Sequence, residues 1–133
     1  MPGNFFDSNV LLYIVSNDEK ADCAEAALAK GGVISVQVLN EVANVARRKM
    51  QMSWQDTRAF LLLLRGLLDV RPVTMETHET GLLLAERYKL SIFDAVIAAA
   101  ALQSGCDTLL SEDMQHGMVL NEGLRITNPF RTR

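Results

Sequence analysis

The chain has 133 residues, 49% of them hydrophobic, with a formal net charge of −3 and an isoelectric point near 5.3. That length suits one domain, residues 1–133, able to bury roughly two-thirds of its unfolded surface, and its acidic balance excludes a protein that gathers polyanions by overall charge, so any nucleic-acid contact must be local. Two cysteines, Cys23 and Cys106, with no CxxC and no adjacent histidine pair, exclude a disulfide framework or a zinc site and read as small core hydrophobes.

The opening MPGNFFDSNVLLYIV has an apolar stretch, but no basic lead and no small-residue cleavage site, and Asp7 interrupts it, so it does not read as a signal peptide. The alanine-rich run from Ala95 to Leu102 is the longest apolar candidate, far short of the ~18 residues that a membrane span needs. No membrane association is expected, and a cytoplasmic location is.

Asn4 to Phe6 reads as a strand, Asp7-Ser8 as a helix start, and Val10 to Val15 as its continuation. Alanines and alternating charges from Asp18 to Lys30 predict a second helix, which Gly31-Gly32 stops. The β-branched run Val33 to Val36 predicts a buried strand. In the segment Gln37 to Met50, Val38, Val42 and Val45 recur at helical spacing, and Arg47, Arg48 and Lys49 crowd the last turns, where cations suit the helix dipole.

Ser53 is a good N-cap for a helix carrying Phe60, Leu61, Leu63, Leu64, Leu67 and Leu68, apolar enough to be buried on two sides. Val70 to Thr74 predicts an edge strand, since Pro72 lacks an N–H. Glu76 to Lys89 reads as an amphipathic helix. Ser91 and Asp94 stand in capping-box relation ahead of the small-residue helix Ala95 to Leu102, which Gly105 closes. Thr108 to Leu110 reads as a strand, Ser111 to Gly117 as a polar loop, and Leu124 to Thr127 as a last strand ended by Asn128-Pro129. Strands alternating with helices imply right-handed crossovers, hence an α/β fold: a three-layer α/β/α sandwich on a mostly parallel sheet of four or five strands.

Asp7, Glu41, Asp94 and Asp113 each lie where a strand ends or the following helix begins. Taken singly, each has an ordinary explanation. Asp7 caps a helix, Asp94 completes a capping box, and Asp113 sits in a surface turn. Glu41 is harder to dismiss, because it interrupts the apolar side marked by Val38, Leu39 and Val42. What joins the acids is topology, since in an open parallel sheet the carboxyl ends of the strands share one rim. Gathered there, carboxylates repel one another and need a cation. Hard oxygen ligands favour Mg²⁺ or Mn²⁺. With such an ion, Asp7, Asp94 and Asp113 would hold it, while Glu41 would fix a second ion or orient the nucleophile in a phosphodiester hydrolysis that leaves 3′-hydroxyl and 5′-phosphate ends. Arg47, Arg48 and Lys49 are candidate contacts for substrate phosphates, as is His116 beside Asp113. Trp54 and Phe130 read as packing or interface residues. No Ser-His-Asp or Cys-His arrangement is evident.

The chain resembles PIN-domain proteins of the VapC-like toxin ribonuclease group. The likeness lies in FFDSNVLLY at the start, the glutamate within VLNEVANV, and then SIFDAVIAAAAL, LLSEDMQHG and the closing ITNPF. It implies a PIN-like fold and a metal-dependent endoribonuclease with Asp7, Glu41, Asp94 and Asp113 as its acidic quartet. Asn9 and Ser111 match polar positions beside the first and last acids. A homodimer is implied too, inhibited by a small antitoxin that inserts a segment into the active-site groove. Two other readings compete: a haloacid-dehalogenase-like phosphatase, which wants a second acid where this chain has Asn9, and a non-catalytic binding module whose acids only cap helices.

Overall fold

The computed structural model describes residues 3–131. Its helices are α1 (Ser8–Leu12), α2 (Lys20–Ala29), α3 (Val36–Arg48), α4 (Trp54–Leu67), α5 (Met75–Tyr88) and α6 (Ile92–Gln103). The strands are β1 (Asn4–Phe6), β2 (Val33–Ser35), β3 (Asp69–Arg71), β4 (Thr108–Leu110), β5 (Val119–Leu120) and β6 (Leu124–Thr127), in the spatial order β3-β2-β1-β4-β6-β5. All neighbours run parallel except β5, which is antiparallel to β6.

The sheet thus has six strands among the described residues, not four or five. The strand absent from the sequence reading is β5. With only two residues it offers no periodicity to read, and its turn places Asn121 and Glu122 in the left-handed region at φ 49° and 60° without a tell-tale Asn-Gly pair. β3 occupies the expected edge, but the strand ends at Arg71, so Pro72 follows it and costs no ladder hydrogen bond.

Right-handed crossovers put the helices between β1 and β3 on one face and those between β3 and β4, which reverse direction across the sheet, on the other. On the second face α6 is sandwiched between the sheet and α5, and every residue from Ala95 to Ala101 is buried. The approach is so close that a Cβ on Gly81 of α5 would stand 2.8 Å from Val96 Cγ2. On the first face α3 buries Val38, Val42 and Ala46; the expected Val45 is only half-buried, because a four-residue stride from Val42 falls on Ala46. Gly31, at φ 77°, terminates α2 as expected and donates to the Leu28 carbonyl.

The helix α4 departs from expectation. Phe60 and Leu64 are buried, but Leu62, Leu63 and Leu67 are 61%, 49% and 50% exposed. Its main partners are α3 and β3, so one side of the helix is left uncovered among the described residues. The core proper lies on both faces of the central strands, with Phe5, Phe6, Ile34, Leu109, Leu124 and Ile126 fully buried.

Candidate active site

Successive crossovers leave β1 and β4 in opposite directions, which opens a crevice between their carboxyl ends. Asp7 is the first residue beyond β1, and its N–H donates to the Leu110 carbonyl at 2.9 Å, carrying the ladder one step further. The side chain is thereby held in the crevice, only 4% exposed. Oδ1 accepts from the Ser8 N–H at 2.7 Å; Oδ2 accepts from the Ser111 hydroxyl at 2.8 Å and from Asn9 Nδ2 at 3.3 Å. Asp7 is the N-cap of α1 as well, so the capping role and the crevice position coexist.

Ser111 is fully buried just past β4. Its hydroxyl donates to Asp7 and accepts from the Met114 N–H at 3.3 Å. Asn9 joins the same two strand ends, since its Oδ1 accepts from the Glu112 N–H at 3.1 Å. Glu41, on α3, accepts at Oε1 from the Ser8 hydroxyl at 3.1 Å and at Oε2 from Gln37 Nε2 at 3.2 Å. Gln37 also donates to the Phe93 carbonyl, which ties α3 to the first turn of α6 beside Asp94. The Ser91 hydroxyl accepts from the Asp94 N–H at 3.1 Å. Of the expected capping box, the described hydrogen bonds contain the half made by the Asp94 N–H, and the half-buried Asp94 carboxylate stays within the influence of the Ser91 side chain. Asp113 is exposed.

Burial drives the Asp7 carboxyl up from 3.8 to about 6; the hydrogen bonds from Ser111 and Ser8 pull against this, and the charges of Glu41 and Asp94 add to it. Asp94 is raised as well, first by burial, against the Ser91 hydrogen bond, with the Asp113 charge adding to it. Repulsion therefore runs in series from Glu41 to Asp7 to Asp94 to Asp113 along one rim. The four acids do not collapse to a point. Among the described residues, no three His, Cys, Asp or Glu side chains are gathered into a single ion cage. Neutral donors hold two of them apart, Ser8, Asn9 and Ser111 on Asp7 and Ser8 and Gln37 on Glu41, and the four lie in an open arc, which like charges favour.

The donor set suits a hard divalent cation. The candidate ligands are all carboxylate oxygens, and since the single Ser8 hydroxyl hydrogen is better placed for Glu41 at 3.1 Å than for Asp7 at 3.5 Å, Asp7 accepts three hydrogen bonds out of about four lone-pair sites. The penalty on ionising Asp7 is the one a cation in the arc would remove.

The basic candidates divide. The Arg47 guanidinium lies 4.3 Å over the Trp54 ring and donates to the Met52 carbonyl, tying the end of α3 to the start of α4. That is a structural engagement, not a free phosphate contact. Arg48 and Lys49 are exposed. His116 accepts through Nδ1 from the Asn128 N–H at 2.9 Å, pinning the loop after β4 to the segment after β6. Phe130 packs edge-on against Tyr13, with ring centroids 4.8 Å apart, and Cys106 is buried as expected.

Ser8 and Gln37 were not singled out by the sequence. Gln37 had a legible signal, standing four residues before Glu41 on one helix face. Ser8 had only its place beside Asp7. The contacts of Glu112 with Tyr13 and Lys20 span 99 and 92 residues and left no local trace.

No curated protein matches the chain. Among solved structures it is similar to a toxin-antitoxin complex from Klebsiella pneumoniae, with a TM-score of 0.74 at 22% identity over 98% of this chain and 100% of that one. It is also similar to Mycobacterium tuberculosis VapC20, described as a sarcin-ricin loop cleaving toxin, at 0.70 and 19% identity over 84% and 90% of the two chains. VapBC2 from Rickettsia felis, bound to a DNA fragment from its promoter, follows at 0.67 and 16% identity over 94% and 98%. At these identities the likenesses speak for the fold. Residues 5–117 match the PIN domain family, and with the parallel sheet and its acid-lined crevice this chain belongs to that family.

Proposed function

We propose that the chain, as one PIN-like domain, is a metal-dependent endoribonuclease and the toxin of a toxin-antitoxin pair. In this reading Asp7, Glu41, Asp94 and Asp113 form its acidic set and Mg²⁺ or Mn²⁺ its cofactor. The observation that carries the reading is Asp7: a carboxylate buried at the crevice, raised to about 6, and facing two further acids. The Ser111 and Ser8 hydrogen bonds offset only part of the cost of that anion, and a cation beside it would offset the rest. VapC20, an RNA-cleaving relative in fold, lends the choice of substrate.

A divalent ion in the arc would supply Lewis-acid stabilisation of charge on the scissile phosphate. The chain's own groups do the positioning. Ser8, Asn9 and Ser111 fix the Asp7 carboxylate in place, and Ser8 with Gln37 does the same for Glu41, which leaves Glu41 to orient the attacking water. Arg48 and Lys49 supply local positive charge for the RNA backbone on a chain of net charge −3. Leu62, Leu63 and Leu67 form the surface for homodimerisation, and the cognate antitoxin closes the groove. The protein then works in the cytoplasm; among the described residues no helix is long and apolar enough to cross a membrane.

The test is cleavage of RNA with Mn²⁺ or with EDTA, by the wild type and by Asp7→Asn, Asp94→Asn and Asp113→Asn. Each substitution is expected to lower the rate at least ~100-fold with circular dichroism unchanged. Product ends should be 3′-hydroxyl and 5′-phosphate. Cleavage that persists in EDTA, or that yields cyclic phosphates, refutes the proposal.

A further inference from the structure

Glu112 is a fifth acid in the loop that carries Ser111 and Asp113, yet its carboxylate is fully engaged elsewhere. Oε1 accepts from the Tyr13 hydroxyl at 2.7 Å, and Oε2 pairs with the Lys20 ammonium at 2.5 Å. Tyr13 stands in the 3-10 turn that continues α1, and Lys20 is the first residue of α2. Lys20 is itself steered, with its ammonium 5.1 Å from the Tyr13 ring centre and 5.5 Å from that of Phe130. The Glu112 N–H meanwhile donates to Asn9, whose amide donates to Asp7. Asp113, one residue on, is exposed and makes no side-chain hydrogen bond among those described, so the loop backbone sets the range of positions its carboxylate can reach.

We propose that Lys20 and Tyr13 are positioning residues: by clasping Glu112 they fix the Ser111–Asp113 loop, so that Asp113 faces Asp94, and they keep a fifth carboxylate out of the acid arc. The inference rests on the metal-site reading above. The ion pair is half-exposed, with side chains 38% and 24% accessible, and an exposed pair of that kind adds little to stability. Its effect belongs at the loop it holds. Loss of a group bonded directly to a ligand typically lowers metal affinity by a factor of about 10 to 100, and Lys20 and Tyr13, one step further out, belong at the low end of that range.

Mn²⁺ binding by calorimetry on the full chain, without RNA, tests this. Lys20→Met and Tyr13→Phe are each expected to weaken binding about tenfold with little change in melting temperature, and Lys20→Arg to restore most of it. In an Asp113→Asn background the Lys20→Met effect should fall below about twofold, because the clasp acts through Asp113. Amide exchange at Glu112 in the metal-free protein should quicken in Lys20→Met, a readout that holds even where Asp113→Asn binds too weakly to titrate. An equal Lys20→Met effect in both backgrounds, unchanged exchange, or tighter binding as Glu112 joins the site each overturns the proposal. If the wild type binds Mn²⁺ in a manner lost in Asp7→Asn while Lys20→Met binds normally, only the clasp fails. If the wild type binds none, the metal-site reading fails and the clasp with it.

Discussion

Replacing Asp7 with Asn should make the metal-free protein more stable while abolishing its response to metal. Asp7 rises from 3.8 to about 6 on folding, so ionising it costs the folded state about 3 kcal/mol more than the unfolded one. The sign follows from proton counts. Below 3.8 the group is protonated in both states and the penalty is absent; it grows as pH rises through 6 and is complete above. Asparagine keeps an oxygen for the Ser8 N–H, and the Ser111 hydroxyl can turn to accept from the new amide, but the Asn9 bond is lost and the Ser111 O–H gives up its acceptor, together at about 1–2 kcal/mol. A net gain of about 1–2 kcal/mol remains at neutral pH, which for 133 residues raises the melting temperature by about 3–7 °C. Near pH 4.5 the residual penalty is only about 1 kcal/mol and the gain should vanish. Thermal denaturation in EDTA at the two pH values reads this directly. Added Mn²⁺ should stabilise the wild type and leave Asp7→Asn unmoved. A variant less stable than wild type at neutral pH, or a gain equal at both pH values, refutes the account of Asp7 as a strained anion.

Ser111→Ala should push the Asp7 titration further upward, since it deletes the largest opposing hydrogen bond, and it should cost about 1–3 kcal/mol because the Met114 N–H loses its acceptor; NMR titration of the Asp7 carboxyl and denaturant unfolding check both. Gly81→Ala should destabilise by about 1–3 kcal/mol in urea, overcoming the ~1 kcal/mol that alanine gains in a helix, because its methyl would meet Val96 at 2.8 Å. Gly66→Ala, in α4 with nothing within 4 Å, should instead stabilise by about 0.5–1 kcal/mol. Leu62→Glu with Leu63→Glu should convert a dimer to monomer by light scattering at little cost in melting temperature; a monomeric wild type defeats the dimer proposal.

The sequence displayed what is local. Ser53 and Ser91 announced their helices, the four-residue stride of Val38 and Val42 announced the buried side of α3, and the alanines of α6 announced tight packing. It concealed what depends on neighbours. The uncovered leucines of α4 read as core because hydrophobicity does not say whether a partner belongs to the same chain. Of the site, the acids were legible through strand ends and topology, but their spacing was not. Neutral donors such as Ser8 and Gln37 decide that spacing, and in a sequence they look like any polar residue at a helix start.

β1 and β4 lie side by side at the centre of the sheet, although Asn4 and Thr108 stand almost the whole chain apart. Bringing them together closes a very long loop, which is slow and comes late in folding. Neither half of the crevice means anything without the other. A chain still being synthesised carries Asp7 from the start but has nothing to set against it until the Ser111 region has emerged. Chemistry here is therefore deferred to the final assembly of the sheet, and a fragment truncated before β4 should be inert however well its helices form.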